Sequence, residues 1–393
     1  MSVMRRRFDV AIVGAGPAGS ALARRLAWLG VHVVLFERSA VDRPRVGESM
    51  APVLQARLRE IGLWDCFVAL DPLPSWGTRS AWGEARASTH SHVISPWGCG
   101  WHIDRCAFDR MLAEGAQQAG AVLMTGTSVQ RCTWADLNWR LQCTPALDEF
   151  EARVVVDATG RRAQVGRALG ASRLAYDELV GVALTYGPVR GDARSHLLVE
   201  TVEAGWWYSA PLPDVVHASG RDRMMLMLMT DADLCSQQGL ARLPGWQQAL
   251  RAAALTHARV GGAAPGGKLQ VHLAHSQRLA HRDADARHGP WLAVGDAALA
   301  VDPVSGSGVP RALQNAATAV ASVLGMLDNP RRAREARDDY DLALEREGER
   351  YLQERAAYYG LERRWPSSFW QRRSFIDALP DRRPEASVAM TLQ

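Results

Sequence analysis

Phe8-Asp-Val-Ala-Ile-Val13-Gly14-Ala-Gly16-Pro-Ala18-Gly19 is the stretch that decides the fold. Its first six residues are β-branched and apolar enough for a buried strand, and glycine ends the run. An apolar helical face follows through Leu22, Leu26 and Leu29, then a second strand from His32 to Phe36 that ends in Glu37. Strand, Gly-x-Gly-x-x-Gly, helix, strand and acid follow one another, with the acid 18 residues after Gly19. Gly14 permits the tight turn, Gly16 lets backbone N–H groups approach a pyrophosphate, and Gly19 lets helix and strand pack closely. The helix start adds partial positive charge for the phosphates, and Glu37 is placed to accept hydrogen bonds from a ribose. The acid disfavours a 2′-phosphate, so the expected ligand is FAD or NAD.

Three further segments lie along the chain. Arg43-Pro-Arg45-Val-Gly47-Glu48-Ser49 leads into a helix expected over 52–61. Trp101-His102-Ile103-Asp104-Arg105 passes from a short strand into a helix that carries Phe108, Asp109 and Leu112. Trp291-Leu-Ala-Val-Gly295-Asp296 is followed by Asp302-Pro303-Val-Ser-Gly306-Ser-Gly308 and a helix from about Pro310. In this order the segments resemble flavoproteins of the para-hydroxybenzoate hydroxylase type. That group includes aromatic hydroxylases, geranylgeranyl reductases and tryptophan halogenases. The resemblance runs discontinuously from Phe8 to about Met326 and selects FAD.

The resemblance implies an α/β fold: a Rossmann-like FAD-binding domain, an inserted α+β substrate domain and a C-terminal helical segment. The expected bounds are 1–71, 101–170 and 285–330 for the first, 72–100 and 171–284 for the second, and 331–393 for the third. The residues that would hold FAD are Gly14, Gly16, Ala18, Gly19, Glu37, Arg38, Arg45, Ser49, Arg105, Asp157, Gly295, Asp296, Pro303, Gly306 and Gly308. Arg45 and Arg105 would meet the phosphates or the ribityl side, and Asp296 the ribityl chain. The 303–308 loop would line the isoalloxazine, its backbone N–H groups facing the charge of the reduced ring. Hydroxylases of the group often carry Asp-Gly after the strand that ends at Asp157, linked to nicotinamide binding. This chain has Asp157-Ala-Thr-Gly160, so the reductant is expected to be NAD(P)H or reduced flavin from a separate reductase.

Between 171 and 285 the pattern is strand-like, over 180–186, 195–203, 205–210, 223–230 and 269–275, with helical turns from Pro244 through Ala254. Met224 to Met229 reads as a buried strand, with an adaptable surface as the other reading. Gly205-Trp206-Trp207-Tyr208-Ser-Ala-Pro211 stands near the place of the halogenases' Trp-x-Trp-x-Ile-Pro motif but lacks its second Trp and its Ile. Halogenases also need a lysine to meet hypohalous acid. Lys268 is the one lysine among 46 basic residues, and it falls in a Gly/Ala/Pro-rich stretch far from the expected place. Trp206, Trp207 and Tyr208 are the candidates for lining the substrate cavity, with core packing as the alternative for both tryptophans.

The expected activity is flavin-dependent hydroxylation of an aromatic ring through a C4a-hydroperoxyflavin, with Glu48, His102 and Tyr208 as candidate acids or bases. Competing readings are a geranylgeranyl-reductase-like enzyme, a halogenase and a non-catalytic FAD-binding assembly factor. A charged helix over 334–363 leads into Tyr358-Tyr359 and Trp365 to Trp370. This ending resembles the monooxygenases that modify tryptophan in the protein precursors of tryptophylquinone enzymes. A helical bracket packed on the FAD domain is the other reading of the tail. With Trp76, Trp82, Trp97 and Trp101 it suggests aromatic surface for a peptide- or protein-bound substrate.

Composition narrows the partners. The chain has 393 residues, 46 basic against 42 acidic, a balance of +4 that gives no reason to invoke nucleic acid or an anionic membrane. No run of 18 apolar residues exists to span a bilayer. The apolar run after Arg5-Arg6-Arg7 is broken by glycines as no secretory signal would be. Six cysteines without CxxC spacing read as reduced thiols, and the expected location is cytoplasmic. His90, His92, His272, His275, His281, His288, Asp283 and Asp285 lack metal-ligand spacing, so no metal is expected.

Overall fold

The computed structural model describes residues 5–39, 45–145, 148–189, 196–213, 223–280 and 289–374. Its first sheet is built on the strand Arg5–Val13, which pairs in parallel with Val33–Glu37 on one side and Glu149–Asp157 on the other. Val122–Thr125 extends it in parallel beyond Val33–Glu37, and Trp291–Ala293 joins the end of Glu149–Asp157. The helices Pro17–Trp28, Arg105–Gln118 and Gly308–Asp328 pack around it, the first touching both others. Strands such as Ala152, Val154, Val155 and Val156 are fully buried, as both faces of a helix-covered parallel sheet require.

The second sheet runs in the order 264–273, 179–187, 223–231, 205–212, 196–202, 77–81, 88–91. Its pairs are antiparallel except for His196–Val202 with Gly77–Ala81. Side chains alternate across it with period two. Trp207 and Leu228 pair on one face and pack with Val182 and Trp246 beneath the helix Leu243–Ala252. Trp206 pairs with Met229, and Tyr208 with Met227, on the other. The methionine run is therefore a buried strand with one face in a core and the other turned toward the first sheet.

The helix Pro330–Tyr359 packs along Gly308–Asp328, and the short helix Ser368–Ser374 returns onto the second sheet. The aromatic tail differs from the surface expected of it. Tyr359, Phe369 and Trp370 are fully buried and pack with Trp206, Met227 and Met229. Trp82 fills the gap between them, its ring centroid 5.3 Å from both Tyr359 and Trp370. Arg373 is buried against Asp231, with Arg372 on the same carboxylate at 2.9 Å. Trp101 is buried as well; Trp76 and Trp97 stay exposed. A short cluster of aromatics closes onto the sheet because that sheet offers an uncovered apolar face.

Candidate active site

One cavity of about 590 Å³ lies between the two sheets, and the glycine-rich turn forms its floor. The three glycines act for three separate reasons. Gly14 has φ +110°, and a Cβ there would stand 2.3 Å from the Ala158 carbonyl oxygen. A Cβ on Gly19 would stand 2.0 Å from the Gly14 oxygen, so Gly19 packs helix on strand and does not line the cavity. A Cβ on Gly16 would meet nothing within 4 Å and would project into the space itself. Ala18 and Arg38 line the same end. Glu37 is buried there and accepts the N–H of Ala15 at 3.2 Å and of Ser39 at 3.0 Å, which fixes its carboxylate beside the turn.

Two helices start at this cavity, at Pro17 and Gly308, and among the described residues neither has a side chain capping its first N–H groups. Such ends attract anionic groups. Pro303, Gly306 and Gly308 line the wall near the second start. Asp296 also lines the cavity and pairs with Arg161 at 3.4 Å. The open space above Gly16 and the two uncapped helix starts fit a dinucleotide, which the glycine turn and the 303–308 loop would hold. The residues present therefore fit FAD.

Other candidates take different places. Arg45 and Arg105 line the cavity, but both converge on Asp109, Arg45 at 2.8 Å and Arg105 at 3.2 Å. Asp109 is buried and orients the two guanidinium groups, a role that its sequence did not announce. Asp157 stands behind the wall, where it accepts N–H groups of Thr159 at 2.9 Å and Gly166 at 2.8 Å and so ties the turn after its strand. Gly295 is likewise structural: its φ is +60° and a Cβ would lie 2.6 Å from that of Ala18. Ser49 lines the cavity beside Met50.

Glu48 and Tyr208 are brought together. The hydroxyl of Tyr208, a residue of the cavity wall, donates to Glu48 Oε2, which also accepts the N–H of Gly47 at 3.0 Å. Burial drives the Glu48 carboxyl above its ordinary range against the pull of the Tyr208 hydrogen bond. Burial, and then the adjacent Glu48, hold the Tyr208 hydroxyl well above its own. Glu48 Oε1 is buried with no hydrogen-bond partner among the described residues. His102 does not join them: it is fully buried and outside the lining, with neither ring nitrogen bonded among the described residues. Burial, then the charge of Arg259, pushes it down to about 3.

Trp206 lines the cavity with Leu197, Val199, Met227 and Met229, whereas Trp207 points to the opposite face and is core. The alternation of a strand turns neighbouring tryptophans apart, which is why one of the pair is lost to the site. Lys268 is exposed on the strand Ala264–Leu273 and is not among the lining residues. Among the described residues no group of three His, Cys, Asp or Glu side chains is placed to hold a metal, and no helix is long and apolar enough to cross a membrane. His281, Asp283, Asp285 and His288 lie outside the described residues.

Comparison with known proteins agrees with this geometry. LodB of Marinomonas mediterranea, which bears the name of an FAD-dependent oxidoreductase, is 29% identical over 95% of this chain and 98% of its own length. The structure of the myxobacterial chondrochloren halogenase CndH superposes with a TM-score of 0.82 at 22% identity, covering 95% of this chain and 87% of that one. That of the peptidyl tryptophan dihydroxylase QhpG, essential for tryptophylquinone cofactor biogenesis, gives 0.74 at 24% identity over 96% and 80%. At these identities the two structures share the fold. The family described as FAD binding domain matches residues 7–353. With its glycine turn, its two helix starts and its second sheet on one cavity, the chain belongs to the FAD binding domain family and is an FAD-dependent oxidoreductase.

Proposed function

We propose that the protein is a monooxygenase that hydroxylates an electron-rich aromatic ring, carried on a peptide or a partner protein. The observation that carries this reading is the wall opposite the glycine turn. It presents Trp206, Tyr208, Met227 and Met229 and no lysine among the described residues, while Lys268 is exposed elsewhere. Flat apolar and sulfur-bearing side chains suit an aromatic ring. Reduced FAD, when bound, supplies dioxygen activation. The chain's own residues hold the ring against the methionine and tryptophan face and keep water from it. Tyr208 meets the substrate at its Oη and passes a proton to or from Glu48, whose raised affinity for a proton suits the exchange.

The peptide-bound form of the substrate rests on surface other than the tail. Trp76, Val93, Ile94 and Trp97 are exposed at the edge of the second sheet, and the His92 N–H joins this group through the Trp76 carbonyl at 2.8 Å. Contiguous exposed apolar residues mark binding surfaces.

The test is turnover with a tryptophan-bearing peptide under ¹⁸O₂, read by mass spectrometry, with chloride and bromide present. Gain of one or two labelled oxygens supports the reading. Gain of a halogen, or reduction without oxygen uptake, overturns it. Electrons arrive either from NAD(P)H or as reduced flavin from a separate reductase. Anaerobic mixing separates the two, since failure of both nicotinamides to bleach the flavin requires the reductase.

A further inference from the structure

Tyr340, Tyr351 and Tyr359 sit on the single helix Pro330–Tyr359, and all three side chains are buried. Their hydroxyls end on one short stretch of the cavity wall, Ala293–Asp302. Tyr340 reaches the Ala293 carbonyl at 2.9 Å and Asn315 Oδ1 at 3.0 Å, and that same Oδ1 accepts the Gly295 N–H at 2.7 Å. Tyr351 accepts the N–H of Asp302 at 2.8 Å. Tyr359 donates to Asp302 Oδ2 at 2.6 Å. The tail helix thus holds both ends of the stretch that carries Gly295 and Asp296.

Tyr359 also faces the other way. It accepts the indole N–H of Trp206 at 2.9 Å, and Trp206 lines the cavity. Asp302 Oδ1 in turn accepts the N–H of Val304, the residue that follows Pro303 in the loop beside the second helix start. A continuous line therefore runs from a side chain of the substrate wall to the backbone of the loop: Trp206, Tyr359, Asp302, Val304. Asp302 is fully buried, and its carboxylate depends on these donors, because a buried polar group without them is costly. The ring of Tyr359 packs on Trp82, Phe369 and Trp370, and a phenylalanine would pack there as well. Only the hydroxyl makes the connection.

We propose that Tyr359 is a positioning residue that couples the substrate wall to the cofactor loop, through Trp206 on one side and Asp302 on the other. Occupancy of the cavity next to Trp206 is then felt at the loop without direct contact. The proposal requires FAD in this cavity, which the family supplies, and does not depend on hydroxylation as the reaction.

The experiment compares purified wild-type holoprotein with Tyr359→Phe and Trp206→Phe. It reads melting temperature, FAD dissociation constant, the visible circular dichroism of bound flavin and its change when indole is added. Tyr359→Phe is expected to melt within a few degrees of wild type and to bind FAD about tenfold more weakly, equivalent to about 1.4 kcal/mol. It is also expected to alter the visible dichroism and to lose the response to indole. Trp206→Phe keeps an aromatic wall but breaks the line from the cavity side and, with indole binding confirmed by equilibrium dialysis, loses the same response. If Tyr359→Phe does not fold, Trp206→Phe decides alone. An unchanged dichroism and a full indole response in either folded variant overturns the coupling. A wild-type protein that purifies without FAD and takes none up would instead refute cofactor binding in this cavity.

Discussion

The hydroxyl of Tyr208 donates to the carboxylate of Glu48, so a residue of the second sheet is tied to the segment that precedes Ser49, which pairs with His102 in a small separate sheet. The pair spans the boundary on which the cavity lies, with Tyr208 in the wall and Glu48 sealed behind it. Tyr208→Phe keeps the ring and removes the hydroxyl of the proposed proton path. We expect kcat to fall by about 10²-fold with KM changed far less, the size usual for loss of a general acid or base. Stopped-flow and steady-state kinetics of the folded variant check this; unchanged kcat assigns the hydroxyl to packing alone.

Gly16 and Gly14 should fail differently. The Cβ of Gly16→Val points into open space, with no protein atom within 4 Å of it. It should fold, give a wild-type far-ultraviolet spectrum and purify colourless. Gly14→Ala combines φ +110° with a 2.3 Å approach to the Ala158 oxygen, and should lose stability before it loses cofactor. Urea unfolding of both apo-proteins separates the two cases.

Acid should find His102. Burial, then Arg259, holds its imidazole at about 3 in the fold, against 6.5 for the free group. Between those values the unfolded chain binds the extra proton, so its contribution is intact above pH 6.5 and is lost as the pH falls toward 3. The slope is about 1.4 kcal/mol for each pH unit in that window. His102→Leu should flatten the acid limb of a stability–pH curve there. A limb identical to wild type would show that another group governs it.

The buried pair Arg373–Asp231 pins the last described helix to the second sheet. Arg373→Met leaves Asp231 with Arg372 as its remaining charged partner, and about 2 kcal/mol of destabilisation is expected for the lost hydrogen bonds to a charged group. Denaturant midpoints measure it. Faster proteolysis within 360–374 than in wild type would show that the loss is local.

Ile94→Asp tests the proposed partner surface. Ile94 is 93% exposed, so the change should leave melting temperature and flavin spectrum alone. KM for a tryptophan-bearing peptide should rise about tenfold with kcat kept, as for loss of contacts equal in ground and transition states. An unaltered KM removes this edge from the binding surface.

The glycine turn, the acid after the second strand and the order of the remaining segments made the fold legible from sequence, because each depends on local backbone demands. The second sheet was legible as strands but not as faces. Periodicity shows that Trp206 and Trp207 differ in direction, and only pairing with Met229 and Leu228 shows which direction meets the cavity. Arg45 and Arg105 were found as cations; their shared Asp109 was not, although its place four residues after Arg105 on one helix was the available sign, since its pairing with Arg45 spans 64 residues. The tail misled for a physical reason. Exposed aromatic surface and a packed aromatic cluster have the same composition, and the difference lies in the sheet that Trp370 and Tyr359 cover. Their spacing carried one unused sign: Tyr340 and Tyr351 are three helical turns apart and so share a face.

Lys268, exposed on the strand Ala264–Leu273, is the chain's one ε-amine. An amine-directed dye at mildly alkaline pH, where the ε-amine is in part deprotonated, would therefore meet a single lysine address in addition to the chain's α-amine, far from the glycine turn in sequence and outside the cavity lining. Because guanidinium groups resist such reagents, the forty-five arginines stay silent. The molecule arrives prepared as a ruler, with a fluorophore at one strand and the flavin as its energy-transfer partner, and no residue need be replaced to build it.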